Sequence, residues 1–133
     1  MKDLRAADVM VTPVVSAGRK AFAKNLALLL LSGQYSGMPI VDEQSKVVGI
    51  ITEIDLLEAI LAGKDLEKTT AEDLMSKDTK VVDVDTQVAE IMTIMKDKSI
   101  IRVPVTKDGK LVGIVARRDI LRSYVAPFKV VVL

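Results

Sequence analysis

Apolar positions recur at helical spacing in the second half of the chain. Val88, Ile91, Met92 and Met95 fall on one face of a helix read as "TQVAEIMTIMKDK" from Thr86. The matching segment of the first half, "AFAKNLALLLLSG" from Ala21, is apolar almost all round. That pattern predicts a helix buried on more than one side. Each helix is preceded by a short β-branched piece (Val14–Val15, Val81–Val82) and followed by a predicted strand, "GMPIV" or "IRVPV". A turn comes next, "DEQSK" or the stronger "KDG" at Lys107–Gly109, then a second strand, "KVVGII" or "KLVGIV". The last predicted element is a helix, "EIDLLEAILAG" or "RRDILRSYV".

The same order twice means an internal repeat. "DVM" at Asp8–Met10 returns as "DLM" at Asp73–Met75, and "TPVVS" from Thr12 returns as "TKVVD" from Thr79. "MPIVD" around Pro39 returns as "VPVTK" around Pro104, and "GIITEID" at Gly49–Asp55 as "GIVARRD" at Gly113–Asp119. The offset between copies drifts only from 67 to 64 residues, the size of small loop differences. The boundary is placed at "LAGKDLEKTTAED", with Gly63 as a helix stop and a charged, Thr-rich linker after it. The domains so defined are residues 1–64 and 65–133, the second with a tail at 126–133. One such unit cannot easily bury its own sheet face, whereas two packed face to face can.

Composition narrows the chemistry. The 133 residues are 50% hydrophobic and 28% charged, enough for a packed core. Nineteen basic against eighteen acidic residues point to neither a nucleic-acid groove nor a polybasic membrane patch. The absence of cysteine excludes disulfides and thiolate metal sites, and the absence of histidine removes the commonest metal ligand and neutral-pH base. No pair of carboxylate, lysine or hydroxyl groups is spaced to suggest a catalytic couple, so a non-enzyme is expected. The polar start "MKDLRAADVM" and the lack of a long apolar run lead to the expectation of a soluble cytoplasmic protein without a membrane span. Aromatics make up 3%, so any ligand pocket would be walled by aliphatic side chains and backbone.

The chemistry-bearing stretch is "GIITEID". A strand running into a helix presents free N–H groups and the positive helix end, a natural anion site. Thr52 adds a hydroxyl there, and an ionised Asp55 is an acceptor suited to a vicinal diol. The competing explanation is capping alone, since Thr52 is a favourable N-cap and Asp55 suits the first helical turn. In the second copy Ala116 replaces the threonine. Asp119 then serves either a ligand, the helix dipole, or a partner among Arg117, Arg118 and Arg122. Two cations at a helix start are mildly unfavourable, a penalty that bound phosphates would offset. Arg102 offers a planar fork for a phosphate or is a solvated strand-edge charge. Pro39 and Pro104 are read as strand-end stiffening.

Taken together, these motifs resemble the cystathionine-β-synthase (CBS) domain, and nearly the whole chain resembles a tandem CBS pair, or Bateman module. "GIITEID" matches the family's Gly-h-x-Thr/Ser-x-x-Asp signature in full, and "GIVARRD" departs from it at Ala116. The resemblance implies an α+β fold of two β-α-β-β-α repeats packed sheet to sheet about a pseudo-twofold axis, with two clefts for adenosyl compounds (AMP, ADP, ATP or S-adenosylmethionine). Carried over, one site joins Thr52 and Asp55 to Val81, Val82, Ile101, Arg102 and Pro104. The other joins Ala116, Arg117, Arg118 and Asp119 to Val14, Val15, Ser36, Gly37 and Pro39. The aspartates would take the ribose hydroxyls.

The expected function is therefore a regulatory module sensing an adenosyl ligand, with no obligatory cofactor and no metal. The alternative is a ligand-free module for dimerisation or partner docking. Since the chain shows no second functional domain, it is expected to act in trans on an enzyme or transporter, or to be a piece of a longer protein. A homodimer is expected, because the Ala21–Leu31 helix and the two final helices carry apolar faces that need cover. The apolar tail "FKVVVL" is expected to pack on that dimer or on a strand edge.

Overall fold

The computed structural model describes residues 3–33 and 37–125. These form two compact units. One comprises residues 15–80 and 108–111, the other 3–14, 81–107 and 112–125. The fold is α+β and repeated, with two three-stranded sheets. Its units, however, are not the two halves of the sequence. The segment leading into each repeat packs with the other repeat's strands and helices.

In the first unit, β1 (Ala17–Gly18) pairs in parallel with β2 (Gly37–Val41), which pairs antiparallel with β3 (Val47–Thr52). Helix α2 (Ala23–Gly33) covers the sheet with Ala23, Leu26 and Leu30, and α3 (Glu53–Leu61) adds Leu56 and Ala59. Met38, Ile40 and Ile51 complete this core with Ala71 of the one-turn helix α4 (Ala71–Leu74). Burying a side chain such as Ile40 is worth about 1.5–3 kcal/mol relative to leaving it exposed. Ala71 N–H donates to Ala21 O at 2.8 Å, which ties α4 in place.

In the other sheet, β4 (Val82–Asp83) pairs in parallel with β5 (Arg102–Lys107), which neighbours β6 (Lys110–Ala116). The turn Asp108–Gly109, with φ of 53° and 79°, is the left-handed pair that a two-residue hairpin requires. Helix α5 (Val88–Lys98) buries Val88, Ile91 and Met95, the spacing visible in the sequence, and α6 (Arg117–Val125) buries Asp119 and Ile120. The one-turn helix α1 (Ala6–Val9) closes this core, with Ala6 N–H donating to Thr86 O at 2.8 Å.

Several expectations are corrected. Val14, Val15 and Val81 lie outside the strands, because the parallel registers run Ala17 against Ile40 and Val82 against Val105. Helices α2 and α5 begin two residues late, because Phe22 and Gln87 are held in bridges to Thr70 and Arg5. Helix α2 is not buried all round: Leu31 is 73% exposed, and Leu28 and Leu29 face out as well. Pro39 and Pro104 are not at strand ends but inside β2 and β5. The short neighbours β1 and β4 stop before reaching them, so on that side each proline occupies an open edge where no N–H is needed. The expected tail packing lies outside the described residues.

Candidate functional site

Each repeat carries a strand-to-helix junction, β3 into α3 and β6 into α6. At the first, the Asp55 carboxylate takes two bonds on Oδ2, from the Thr52 N–H at 2.8 Å and the Thr52 hydroxyl at 3.0 Å. This satisfies a donor that the helix leaves unpaired. At the second, Asp119 Oδ2 accepts the Ala116 N–H at 2.8 Å, and Arg122 Nη1 reaches Oδ1 at 3.4 Å. Of the three arginines considered in the sequence, Arg122 is the one that pairs with Asp119, while Arg117 and Arg118 are exposed. Asp119 is buried, at 8% exposure, whereas Thr52 and Asp55 are half-buried.

The same carboxylate device recurs away from these junctions. Asp73 takes the Thr70 N–H and hydroxyl, both at 3.0 Å, and Asp8 takes the Arg5 N–H at 2.7 Å. The Thr70 bonds hold the Asp73 carboxyl below its usual pKa. All four aspartates stand at the third helical position, so capping explains their local geometry.

The glycines of the two motifs have a separate reason. A Cβ at Gly49 would lie 2.6 Å from Met75 Sδ and 2.8 Å from Ser76 O. A Cβ at Gly113 would lie 2.5 Å from Met10 Sδ. The methionines of "DLM" and "DVM" thus sit flat on the strand where a side chain is missing. Ser76 also pairs with Ile50 in both directions, at 2.9 and 3.0 Å, fixing the chain beside Gly49. The glycine and the Asp-x-Met motifs, far apart in sequence, make one contact.

The remaining predicted residues divide between the two units. Gly37 pairs with Thr52 in the β2–β3 ladder. Ile101 O accepts the Arg117 N–H at 3.0 Å, so Ile101 lies at the Ala116–Asp119 junction. Val82, Pro39 and Pro104 are buried. Val14, Val15, Arg102 and Ala116 are half-buried, Val81 is exposed, and Ser36 lies outside the described residues. Among the described residues no cluster of acidic side chains is arranged to hold a metal ion. An open apolar groove of about 810 Å³ lies between α5 and α6, unforeseen from the sequence. It takes in Ile101 and Arg117 but not the capping aspartates.

Comparison with known proteins adds the family context. The CBS-domain profile matches residues 6–62 and again 71–126. An uncharacterised protein of Methanopyrus kandleri is 33% identical over 124 residues, 92% of this chain and 63% of its own length. A CBS domain pair solved in complex with 5'-methylthioadenosine and S-adenosyl-L-methionine is 30% identical with a TM-score of 0.83, covering 92% of this chain and 97% of that one. Hypoxic Response Protein I, solved with two coordinated zinc ions, is 28% identical with a TM-score of 0.82, covering 89% and 97%. Histidine and cysteine, the usual zinc ligands besides carboxylates, are both missing from this sequence. The chain spans only 63%, 51% and 34% of the length of three curated relatives that it matches. No helix among the described residues is long and apolar enough to cross a membrane.

Proposed function

The chain belongs to the CBS-domain family, and from that premise we propose that it is a regulatory module that binds an adenosyl compound and performs no chemistry itself. The observation that carries this reading is the junction at Gly49–Asp55, repeated at Gly113–Asp119, in a chain 30% identical to a CBS pair in complex with S-adenosyl-L-methionine and 5'-methylthioadenosine. Asp55 and Asp119 are assigned to the ribose hydroxyls and Thr52 to a supporting hydroxyl contact. Val81, Val82, Ile101, Arg102 and Pro104 are assigned to the same site as Asp55. Val14, Val15, Ser36, Gly37 and Pro39 complete the Asp119 site with Ala116, Arg117 and Arg118. Asp55 has acceptor capacity to spare, because both of its bonds fall on Oδ2. AMP, ADP and ATP share the adenosine part and belong to the same ligand class. We assign the module a homodimeric state and a regulatory action on an enzyme or transporter.

A second reading has its own observation. Asp8 and Asp73 make the same backbone bond as Asp55 at helices outside the signature. Capping therefore accounts for the carboxylate without a ligand, and the module would then serve dimerisation or docking only. A thermal-shift panel of S-adenosylmethionine, methylthioadenosine, AMP, ADP and ATP separates the two. At about 100 Kd a ligand stabilises the folded state by ~2.7 kcal/mol, roughly 10 °C in Tm for a chain of this size. A flat response to all five would favour the structural reading.

A further inference from the structure

The two strand-to-helix junctions share a layout and a carboxylate but differ in charge. Helix α3 opens with Glu53 and Ile54, bears Glu58 almost one turn after Asp55, and has no basic residue along its length. Helix α6 opens with Arg117 and Arg118 and bears Arg122, against the one acid Asp119. The exchange is position for position: Arg117 matches Glu53, Arg118 matches Ile54 and Arg122 matches Glu58, each 64 residues on. Glu53, Ile54, Arg117 and Arg118 are all exposed, so packing does not dictate the difference at the helix starts.

Both helix starts carry the positive end of a helix dipole, which by itself treats the two junctions alike. At the first, Glu53 offsets that field and sets a carboxylate where an incoming anion would stand. At the second, Arg117 and Arg118 add to the field. Two cations so placed cost the empty helix, and an anionic ligand would turn that cost into charge-assisted bonds. Arg117 also lines the α5–α6 groove, where the other charged residue is Lys96, a further cation of the same unit. The carboxylates point the same way. Asp119 already faces Arg122 at 3.4 Å, whereas Asp55 bonds only to Thr52, whose hydroxyl lies at 3.0 Å. A neutral ligand that displaces Arg122 leaves α6 with unmatched cations. A ligand that brings its own negative charge does not.

We propose that the two junctions sort adenosyl ligands by the charge at the 5' position. The Asp119 junction takes compounds bearing phosphate there, such as AMP, ADP and ATP. The Asp55 junction takes the uncharged thioether or the cationic sulfonium, as in methylthioadenosine and S-adenosylmethionine. The proposal rests on the adenosyl reading above and gives each junction its ligand class. Opposite charges favour the matching ligand and like charges exclude the other, with Glu53 repelling phosphate and the arginine pair repelling a sulfonium. A module so built reads two metabolites at once.

Calorimetric titration with ATP and with methylthioadenosine tests the sorting. The wild-type chain is expected to bind both, the second added without displacing the first. Arg118→Ile gives α6 the residue that α3 has at that position, and it should weaken ATP binding about tenfold. The reverse exchange, Glu53→Arg with Ile54→Arg, should create a second ATP site. These positions are exposed, so both variants are expected to keep the wild-type denaturation midpoint closely. Raising the salt concentration should weaken ATP binding and leave methylthioadenosine binding as it was. Competition of the two compounds for one site, binding of one of them alone, or unchanged ATP binding in both folded variants would overturn the sorting while leaving the adenosyl reading in place. Binding of no adenosyl compound, S-adenosylmethionine included, would overturn both.

Discussion

Replacing Gly49 by alanine would put a Cβ 2.6 Å from Met75 Sδ, 2.8 Å from Met75 Cγ and 2.8 Å from the Ser76 carbonyl oxygen. The thioether is the far part of a flexible side chain and can swing away. The carbonyl cannot, because the Ile50 N–H holds it at 3.0 Å and Ser76 N–H returns a bond to Ile50 O. At Gly113 the three nearest atoms all belong to the Met10 side chain, at 2.5, 3.0 and 3.1 Å. Overpacking of this kind costs about 1–3 kcal/mol, against ~0.4–1 kcal/mol gained by restricting the unfolded chain. Gly49→Ala is therefore expected to lose roughly 2–3 kcal/mol and Gly113→Ala about 1 kcal/mol. Urea denaturation of both variants, with Gly113→Ala/Met10→Ala and Gly49→Ala/Met75→Ala beside them, measures the difference. Removing the Met10 side chain beyond Cβ should relieve the added clash at Gly113, and removing that of Met75 should leave the backbone clash at Gly49. Wild-type stability for Gly49→Ala, or a larger loss at Gly113 than at Gly49, would refute the reasoning.

Asp55→Asn keeps an acceptor for the Thr52 N–H but loses the charge, so it should weaken adenosyl binding by ~1.5–3 kcal/mol, about ten- to a hundredfold, in a folded protein. Unchanged affinity in calorimetric titration would count against the ribose assignment. Asp119→Asn should show in the denaturation midpoint more than in affinity, since that carboxylate is buried and holds Arg122; a larger affinity loss than for Asp55→Asn would contradict this. Asp42 and Asp73 titrate below their usual range, Asp42 through the Lys46 N–H and Asp73 through Thr70. Depressed carboxylate pKa values add stability that is present above the unfolded pKa and is lost as pH falls through the folded one. The urea midpoint should accordingly decline below about pH 4, with Asp42→Asn and Asp73→Asn flattening the decline; a wild-type midpoint level down to pH 3 would exclude it.

Much of the fold was legible because the longer elements carry their own periodicity. The strand 37–41 and the helix 117–125 fall where the pattern put them. The one-turn helices α1 and α4 were not legible, since four residues are too few to show a period. Their one local signal was the Thr70-x-x-Asp73 capping pattern inside a segment read as linker. The starts of α2 and α5 moved because bridges from distant residues hold Phe22 and Gln87, information that no local window contains. The exchange of leading segments between the repeats is non-local in the same way. It is written in the sequence only as a methionine in one repeat and a missing side chain in the other. The α5–α6 groove escaped because periodicity gives each helix its apolar face but not the hollow that two such faces enclose.

The candidate site shows why a signature can be legible while its purpose is not. The Thr-x-x-Asp spacing of the first junction is also the spacing of a helix cap, and the bonds at Asp55 and Asp73 match to within 0.2 Å. What separates the aspartates is what the rest of each carboxylate is doing. Asp119 has one oxygen on Ala116 N–H and the other facing Arg122, and it is largely withdrawn from solvent. A diol reaching it must compete with an ion pair already made, and any gain is net of that loss. Asp55 is half-buried, and both of its bonds crowd onto Oδ2. Its Oδ1 has room to accept a hydroxyl without surrendering the cap. One junction can therefore hold the helix and a ligand together, while the other must give up part of its ion pair. That difference traces to Ala116, which supplies no hydroxyl, and to Arg122, which supplies a positive charge where α3 has Glu58.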